Sequence, residues 1–304
     1  MIFVFGDSFA KFFTLVNKSV VSVYSFKGAT LKGVIKPTNQ NKISIENTIS
    51  QAIKQNINIT HIIFVFGQVD LNLSFYYDIC KKNKSDAVEN KSDAVENKSD
   101  AAENKSDAAE NSSSTEKFVS HYDANIKEYI RWIASIPGKF KRIILATYPS
   151  PLNKEYAIKS LVKYGIFTDA EVEENYRIID FYSNEINRKS RYFEFIYTLE
   201  YYCEEYCFRN GKKKHTNYND CNLEFINLNE HLLDCDLNVK PDYLDISKSN
   251  IHLRWEPIIP LLIKKLSNIG VPISNDDIVK NINELELEYI KYKQAKILTY
   301  KTVS

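Results

Sequence analysis

The sequence lacks any apolar run close to the ~18 residues that a membrane-spanning helix requires. Its apolar beginning, Ile2 to Phe5, meets Gly6-Asp7-Ser8 at once and has neither the basic region nor the long apolar core of a secretory signal. Cysteine is scarce as well, with five residues, an odd number, and with Cys80 and Cys203 far apart. That pattern does not describe a disulfide framework and favours a reducing compartment. We therefore expect a soluble, cytoplasmic protein without a membrane span.

An excess of charge of either sign is also missing. Lys and Arg number 40 against 39 Asp and Glu, which leaves a net charge of +1. No global positive field would hold the protein on nucleic acid or on an anionic membrane, so we expect no nucleic-acid partner. With 44% hydrophobic and 26% charged residues, the composition of the 304-residue chain is that of a globular protein. Wholesale disorder, collagen-like repeats and a coiled-coil rod are excluded.

A zinc site is not expected either. One cluster contains suitable ligand types, but its spacings match none of the short patterns that preorganise tetrahedral zinc: Cys203, Cys207, His215, Cys221 and Cys235. We interpret these cysteines as buried or surface thiols and expect no metal and no other cofactor.

Apolar runs alternating with amphipathic segments predict a parallel sheet covered by helices on both faces. The predicted strands are Ile2–Phe5, Val20–Tyr24, Ile62–Phe66, Arg142–Thr147 and Leu223–Leu228. The predicted helices are a short one from about Phe9, Ile45–Gln55, Tyr122–Ser135, a helical region Asp169–Leu199, Trp255–Leu266 and Glu284–Leu298, with a loop at Asp234–Ser249.

A tandem repeat interrupts this pattern. The unit Lys-Ser-Asp-Ala-(Val/Ala)-Glu-Asn occurs four times, from Lys84 to Asn111, and Ser112 to Thr115 follow. The period of seven does not indicate a coiled coil, because each unit lacks two large apolar positions. We predict a disordered loop at 82–116 that interrupts an α/β domain at 1–270, with a helical extension at 271–304. The loop follows the carboxyl end of a strand, near the edge where such sheets bind ligands.

Ser8 is the first candidate for chemistry. A serine becomes a nucleophile when a tight turn presents it, a histidine takes its proton, and backbone amides receive the developing negative charge. Gly6 permits such a turn, and a helix from Phe9 would point free amides at the same place. The structural alternative is that Asp7 and Ser8 only cap that helix.

Four separated segments together resemble the SGNH, or GDSL, hydrolase superfamily. They are Phe5-Gly6-Asp7-Ser8, Gly28, Gly67-Gln68-Val69-Asp70 and Ile251-His252-Leu253, within a stretch from Ile2 to about Leu266. The resemblance implies a flavodoxin-like three-layer α/β/α sandwich with its site at the carboxyl ends of the strands. It also implies Ser8 as nucleophile, His252 as base, and the amides of Ser8 and Gly28 as the oxyanion hole. Gly67, Gln68 and Asp70 would belong to the oxyanion and substrate-binding region.

The sequence departs from the family pattern at two positions. Val69 stands where the family usually has an asparagine that completes the oxyanion hole, and the amide of Gln68 could substitute for it. Gly67-Gln68-Val69-Asp70 is closer to a divergent branch with Gly-Glu-x-Asp, in which Asp70 could anchor loops by hydrogen bonds. Ser249 replaces the aspartate that precedes the histidine. Asp245, or less directly Asp242, could orient His252.

If no carboxylate reaches His252, a Ser-His dyad remains, with Ser249 or a backbone carbonyl orienting the ring. The other four histidines lack comparable context and are interpreted as structural or exposed: His61, His121, His215 and His231.

The leading hypothesis is therefore a serine esterase or deacylase acting on a small-molecule ester, such as an acetylated sugar or a short acyl ester. The alternative is a weak or inactive protein of the same fold that binds a glycan or another partner. A third reading, a phosphate-binding turn at Gly6-Asp7-Ser8, is weaker, because no glycine-rich nucleotide motif follows the first strand.

Overall fold

A computed structural model describes residues 1–81, 108–151, 153–214, 222–244 and 252–278, and side chains in the helical stretches 108–121 and 210–214 are left out. The repeat units up to residue 107, Asp245 and the predicted helix Glu284–Leu298 lie outside the described residues.

A five-stranded parallel sheet forms the centre of the molecule. Its strands are β1 (Ile2–Gly6), β2 (Val21–Ser25), β3 (His61–Val65), β4 (Lys141–Leu145) and β5 (Leu223–Ile226), in the order β2-β1-β3-β4-β5. Every neighbouring pair is parallel. This is the flavodoxin-like order, in which ligands bind where the strand order reverses, between β1 and β3. The predicted three-layer α/β/α fold is confirmed.

Successive side chains of β1 and β3 point to opposite faces of the sheet and contribute to two separate hydrophobic cores. Phe3, Phe5, Ile62 and Phe64 face one core, and their chain neighbours Ile2, Val4, Ile63 and Val65 face the other. All eight residues are at most 5% exposed, so both faces of β1 and β3 are covered. Two-sided burial explains why these strands are continuous apolar runs without a polar face.

The helices divide between the two faces of the sheet. The first core packs under α1 (Leu31–Val34), α2 (Gln40–Lys54), α3 (Ala108–Ser135), α4 (Lys154–Lys163), α6 (Tyr176–Ser183) and α7 (Glu185–Lys214), and α5 (Asp169–Glu174) is exposed. The second core packs under a 3-10 helix (Ser8–Leu15), α8 (Asn229–Leu232) and α9 (Ile259–Asn268). A π-helical turn at Asp70–Ser74 continues as helix through 75–81, and 3-10 turns lie at Pro241–Tyr243 and Asn275–Asp277.

Three helix starts differ from the sequence prediction, and the first is that of α2, which begins at Gln40, five residues before Ile45. Helix α3 begins at Ala108, so residues 108–116 of the predicted loop are helical. Alanine and glutamate are strong helix formers, and the last repeat unit leads directly into an amphipathic segment that anchors it. Helix α9 begins at Ile259, later than Trp255, with Pro260 in its first turn. Proline is tolerated there because its missing N–H has no partner in a first turn.

The packed body continues past residue 270. Val271 and Ile273 are buried in the second core, and Ile278 forms an isolated antiparallel bridge with Val16. The described part of the 271–304 segment therefore lies against the sheet. None of the helices in the described ranges is long and apolar enough to cross a bilayer.

Cysteine pairing differs from expectation at one position. Cys80 and Cys203 are buried free thiols and Cys235 is an exposed one, but Cys207 is disulfide-bonded. The interpretation of every cysteine as a thiol is therefore wrong for Cys207. Its sulfur lies 3.3 Å from the carbonyl oxygen of Leu223, so the chain returns past Cys207 at the start of β5, which sequence spacing does not reveal.

Candidate active site

Ser8 lies immediately beyond β1, at the start of the 3-10 helix. The N–H of Asp7 donates to the carbonyl oxygen of Val65 (3.0 Å), and the hydroxyl of Ser25 donates to the carbonyl oxygen of Asp7 (2.9 Å). A Cβ atom on Gly6 would lie only 2.4 Å from the Val65 oxygen, so the close approach of β1 and β3 requires glycine. The neighbouring strands thus hold the turn that presents Ser8.

Asp7 caps the helix, and Ser8 is left available for another partner. The Asp7 carboxylate accepts a hydrogen bond from the N–H of Phe9 at 2.8 Å. Burial raises the pKa of Asp7 well above its usual value, an effect that the Phe9 hydrogen bond opposes and that the nearby Asp70 charge reinforces. The capping alternative therefore describes Asp7, whereas the Ser8 side chain makes a different contact.

The hydroxyl of Ser8 and the imidazole of His252 are within hydrogen-bond distance. Ser8 Oγ lies 2.9 Å from His252 Nε2, although 244 residues separate them in sequence. Both side chains are partly exposed, so a ligand can reach the pair. The geometry is that of a nucleophile next to a general base.

Neighbouring packing sets the position of the His252 ring. The ring stacks on Phe9 with centroids 4.6 Å apart and an interplanar angle of 14°. Leu253 is fully buried and bridges Leu244, and the N–H of Arg254 donates to the carbonyl oxygen of Tyr243 at 2.8 Å. These contacts fix both the face of the imidazole and the backbone that carries it.

The carboxylate expected to orient His252 stays a prediction. Asp245, Ser249 and Ile251 lie outside the described residues. Asp242 is exposed, and its carbonyl oxygen accepts a hydrogen bond from Arg254 Nη1 at 3.2 Å.

Gly28 follows β2, beside the turn that carries Ser8. It has a φ of +73°, a left-handed conformation that favours glycine, and a Cβ atom there would meet no heavy atom within 4 Å. Across the described ranges, neither the Ser8 nor the Gly28 amide donates to a backbone carbonyl. Both amides are therefore candidates to donate hydrogen bonds to an oxygen that becomes negatively charged.

Gly67 has a conformational role. Its φ is +116°, and a Cβ atom would lie 2.8 Å from the ring of Phe195. Glycine here allows α7 to pack closely on the end of β3.

Gln68 connects two loops. Its amide nitrogen donates to the carbonyl oxygen of Tyr148 at 3.0 Å, and its amide oxygen accepts from the Tyr148 N–H at 3.2 Å. The side chain is 1% exposed, so this paired interaction joins the loops after β3 and β4 in a buried setting. The side-chain carbonyl and one amide hydrogen are thus committed to Tyr148. The neighbouring Val69 is 6% exposed and its side chain packs in the first core.

Asp70 anchors the loop that contains Gly28. Its carboxylate accepts hydrogen bonds from the N–H groups of Leu31 (2.7 Å) and Lys32 (3.2 Å), at the start of α1. Burial raises the pKa of Asp70 to about 6, although these amide hydrogen bonds act in the opposite direction. Asp70 thus links the loops after β2 and β3.

We expect this carboxyl group to make stability depend on pH. Because its pKa is about 6 when folded and 3.8 as the reference, the folded protein binds more protons between these values, and stability falls as pH rises through about 6. The difference corresponds to ~2 kcal/mol between pH 4 and pH 7.5. The raised pKa of Asp7 acts in the same direction. Urea unfolding at the two pH values measures the effect.

The Asp70→Asn variant supplies the comparison. It should be less stable than the parent at pH 7.5, since an amide cannot accept both backbone N–H groups, but its stability should change less with pH. Asp276→Asn, at an exposed position, is the matched control and should keep the parent profile. An unchanged pH dependence in Asp70→Asn would rule out Asp70 as its source.

Several residues of the site were not singled out by sequence reasoning. The sequence singles out Phe9 only as the start of a short helix, yet its ring stacks on His252, and the ring of Tyr148 packs edge-on against Phe9 at 5.4 Å. The adjacency of Phe9 to Ser8 was the available signal. A small cavity of about 20 Å³ lies beside Asp7, Phe9 and Gln68 and is lined mainly by apolar side chains.

The remaining histidines lie elsewhere or outside the described side chains. His61 is buried at the amino end of β3, the opposite edge of the sheet from Ser8, and burial lowers its pKa. His231 is exposed. His121 and His215 are not among the described side chains.

Comparison with known proteins gives little beyond this geometry. No family model matches the chain, and no curated protein matches it. Among solved structures, one similar chain is described as "the structure of a putative platelet activating factor from Streptococcus pneumonia". It shares 10% identity at a TM-score of 0.43, over 88% of this chain and 82% of the other. Function therefore has to be inferred from the side chains and distances of the site itself.

Proposed function

We propose that this chain is a serine ester hydrolase of the SGNH type, which cleaves a carboxylic ester through an acyl-serine intermediate. The observation that carries the proposal is the 2.9 Å distance between Ser8 Oγ and His252 Nε2 at the carboxyl edge of a flavodoxin-like sheet. We propose that the hydrolase domain covers the predicted range 1–270 together with the packed residues 271–278, and that the insertion ends before α3 begins at Ala108.

The reaction would proceed in two stages. His252 Nε2 accepts the hydroxyl proton while Ser8 Oγ bonds to the ester carbonyl carbon, and the protonated ring then gives that proton to the departing alcohol. Water next enters, loses a proton to His252 and attacks the acyl-serine. Release of the carboxylic acid returns the proton to Ser8 and regenerates both groups.

The orientation of His252 supports its proposed role. Stacking on Phe9 and the Leu244–Leu253 bridge limit rotation of the ring, so Nε2 stays directed at Ser8. We propose Asp245 as the partner of the other ring nitrogen. Without it, the protein would work as a Ser-His dyad.

The proposed oxyanion hole lacks one hydrogen-bond donor that the SGNH family usually has. The amides of Ser8 and Gly28 would donate to the carbonyl oxygen as it becomes negative, with Asp70 holding the Gly28 loop. Val69 offers no donor, and Gln68 is joined to Tyr148. A missing donor lowers kcat by ~10²–10³-fold, so we propose a slow enzyme.

The substrate class is proposed to be an acetylated sugar or another short acyl ester. This class comes from the family resemblance, because the described lining of the cavity beside Phe9, of about 20 Å³, includes neither Ser8 nor His252. A cavity of this size holds roughly one water molecule, so long acyl chains would not fit there.

Val69 favours one alternative, a binding module of the same fold that has lost activity. Its buried, apolar side chain occupies the position of a family oxyanion donor. Such a protein would bind a glycan or another partner at the carboxyl edge of the sheet and would not turn over an ester.

A serine-directed fluorophosphonate probe separates the two functions. We expect the probe to form a covalent bond with Ser8 at neutral pH, because the adjacent imidazole removes its proton. Mass spectrometry of the labelled peptide should place the adduct on Ser8, and Ser8→Ala should remain unlabelled. Failure to label the folded parent protein would favour the binding module.

A further inference from the structure

The ring of Phe9 lies parallel to the imidazole of His252. Their centroids are 4.6 Å apart and the interplanar angle is 14°, so the imidazole contacts the face of the benzene ring and not its edge. That face carries the negative part of the ring quadrupole, and a cation within about 6 Å of the centroid is attracted to it. A protonated imidazole at this position is therefore attracted to Phe9 more strongly than a neutral one.

Neighbouring aromatic side chains hold the ring of Phe9 in this orientation. Tyr148 packs against it with centroids 5.4 Å apart and an interplanar angle of 69°, and Phe12 does so at 6.4 Å and 75°. The backbone is fixed as well, because the N–H of Phe9 donates to a carboxyl oxygen of Asp7 at 2.8 Å. The ring cannot turn its edge toward His252 without losing these contacts.

Burial strengthens the attraction between the two rings. Phe9 is 2% exposed and Tyr148 is 5% exposed, so little water reaches the side of the imidazole that faces them. A cation and an aromatic ring attract each other more strongly where water is excluded. His252 itself is only partly buried, so the stack leaves the Ser8–His252 pair open to a ligand.

The chain couples this ring to the proposed proton transfer. Phe9 directly follows Ser8, so one tight turn places a hydroxyl 2.9 Å from Nε2 and an aromatic face against the same imidazole. In the proposed reaction, His252 is neutral before each attack and becomes positively charged when it takes a proton from Ser8 or from water. An interaction that is stronger with the charged ring lowers the barrier, because it favours the transition state over the bound ester.

We propose that Phe9 is a positioning residue that stabilises the protonated form of His252 through a cation–π interaction during proton transfer. The proposal rests on the proposed function and adds a residue to it. Phe9 itself exchanges no proton. Its effect adds to that of any group at the other ring nitrogen, so it does not depend on whether Asp245 orients the imidazole.

Fluorinated phenylalanines introduced only at position 9 test the interaction with little change in packing. Each fluorine withdraws negative charge from the face of the ring and adds little volume, so 4-fluoro-, 3,5-difluoro- and 3,4,5-trifluorophenylalanine form a series of decreasing attraction. We expect kcat for a short acetyl ester to fall at each step, by ~10-fold over the series, with little change in KM. A constant kcat along the series would overturn the proposal.

The matched control is the same series at Phe3. This residue is 3% exposed, close to the value for Phe9, but it lies in the first core, on the opposite face of the sheet. Its fluorinated forms should keep the parent kcat. Equal losses at both positions would mean that fluorine acts through packing, and would also reject the cation–π interaction.

Phe9→Leu removes the aromatic face but keeps an apolar side chain. It should lower kcat by ~10-fold or more while KM stays close to the parent value. A folded Phe9→Leu protein with the parent kcat would contradict the proposal. Should this variant fail to fold, as judged by its thermal melt, the fluorinated series decides alone.

NMR titration of Ser8→Ala separates this proposal from the proposed function. This variant has no nucleophile, and every group around the imidazole except the ring at position 9 is the same along the fluorinated series. The pH midpoint at which His252 takes up a proton should fall by ~1 pH unit from phenylalanine to trifluorophenylalanine, the equivalent of a tenfold effect. A falling midpoint without hydrolysis by the parent would keep the interaction and reject the esterase. Hydrolysis by the parent, with a constant midpoint and a constant kcat along the series, would keep the esterase and reject the interaction.

Discussion

Replacing Ser8 with alanine is expected to lower kcat for ester hydrolysis by ~10⁴-fold or more, because the variant has no oxygen to form the acyl intermediate. The loss should appear in kcat with little change in KM, since the hydroxyl reacts with the ester and contributes little to binding it. Acetate release from a short acetyl ester under saturating conditions measures the effect. An assay that counts released acid is preferable to an activated aryl ester, which surface amines also cleave.

The control for this variant is an equivalent change at an exposed serine. Ser19→Ala removes a hydroxyl from the exposed turn before β2 and should leave kcat at the parent value. Ser8→Ala itself should fold, because it gives up one hydrogen bond, worth ~1 kcal/mol. That corresponds to a decrease in Tm of roughly 1–2 °C. A folded Ser8→Ala protein with more than a tenth of the parent kcat would exclude Ser8 as the nucleophile.

The sheet could be predicted from the sequence because burial on both faces leaves a strong signal. Ile62, Ile63 and Phe64 contact both cores in turn, so the run has no polar position that would suggest another structure. Helix starts were less predictable. Ala108 belongs to a repeat whose composition indicates disorder, yet the final unit joins a helix that is stabilised by tertiary packing further along the chain.

Part of the candidate site could also be predicted from the positions of the strands. Ser8, Gly28 and Gly67 each follow a predicted strand, and parallel strands bring their carboxyl ends to one edge. The approach of His252 to Ser8 could be proposed only from the family resemblance, since their separation in sequence is 244 residues. The Gln68–Tyr148 pairing was not predictable, because it depends on two loops that meet only in the folded chain.

The second large effect is expected at His252. His252→Gln keeps an amide beside Ser8 but cannot take up a proton at neutral pH, so we expect kcat to fall by ~10⁴-fold or more. Fluorophosphonate labelling of Ser8 should slow in parallel, because the probe needs the same activated oxygen. His231→Gln makes the identical change at an exposed histidine of α8 and should leave both rates unchanged. Parent-like labelling in His252→Gln would mean that another group activates Ser8.

The double variant tests whether Ser8 and His252 act as one unit. If the only role of the imidazole is to accept the Ser8 proton, replacing His252 has no further effect once the Ser8 oxygen is removed. The kcat of Ser8→Ala/His252→Gln should then be no lower than that of Ser8→Ala. If His252 instead acted separately, for example by holding the ester, the two losses would multiply and the double variant would fall well below Ser8→Ala. The control is the double variant Ser19→Ala/His231→Gln. Equal losses of kcat in Ser8→Ala and in Ser8→Ala/His252→Gln would support transfer of the Ser8 proton to His252. Multiplication would assign His252 to substrate binding despite the 2.9 Å distance.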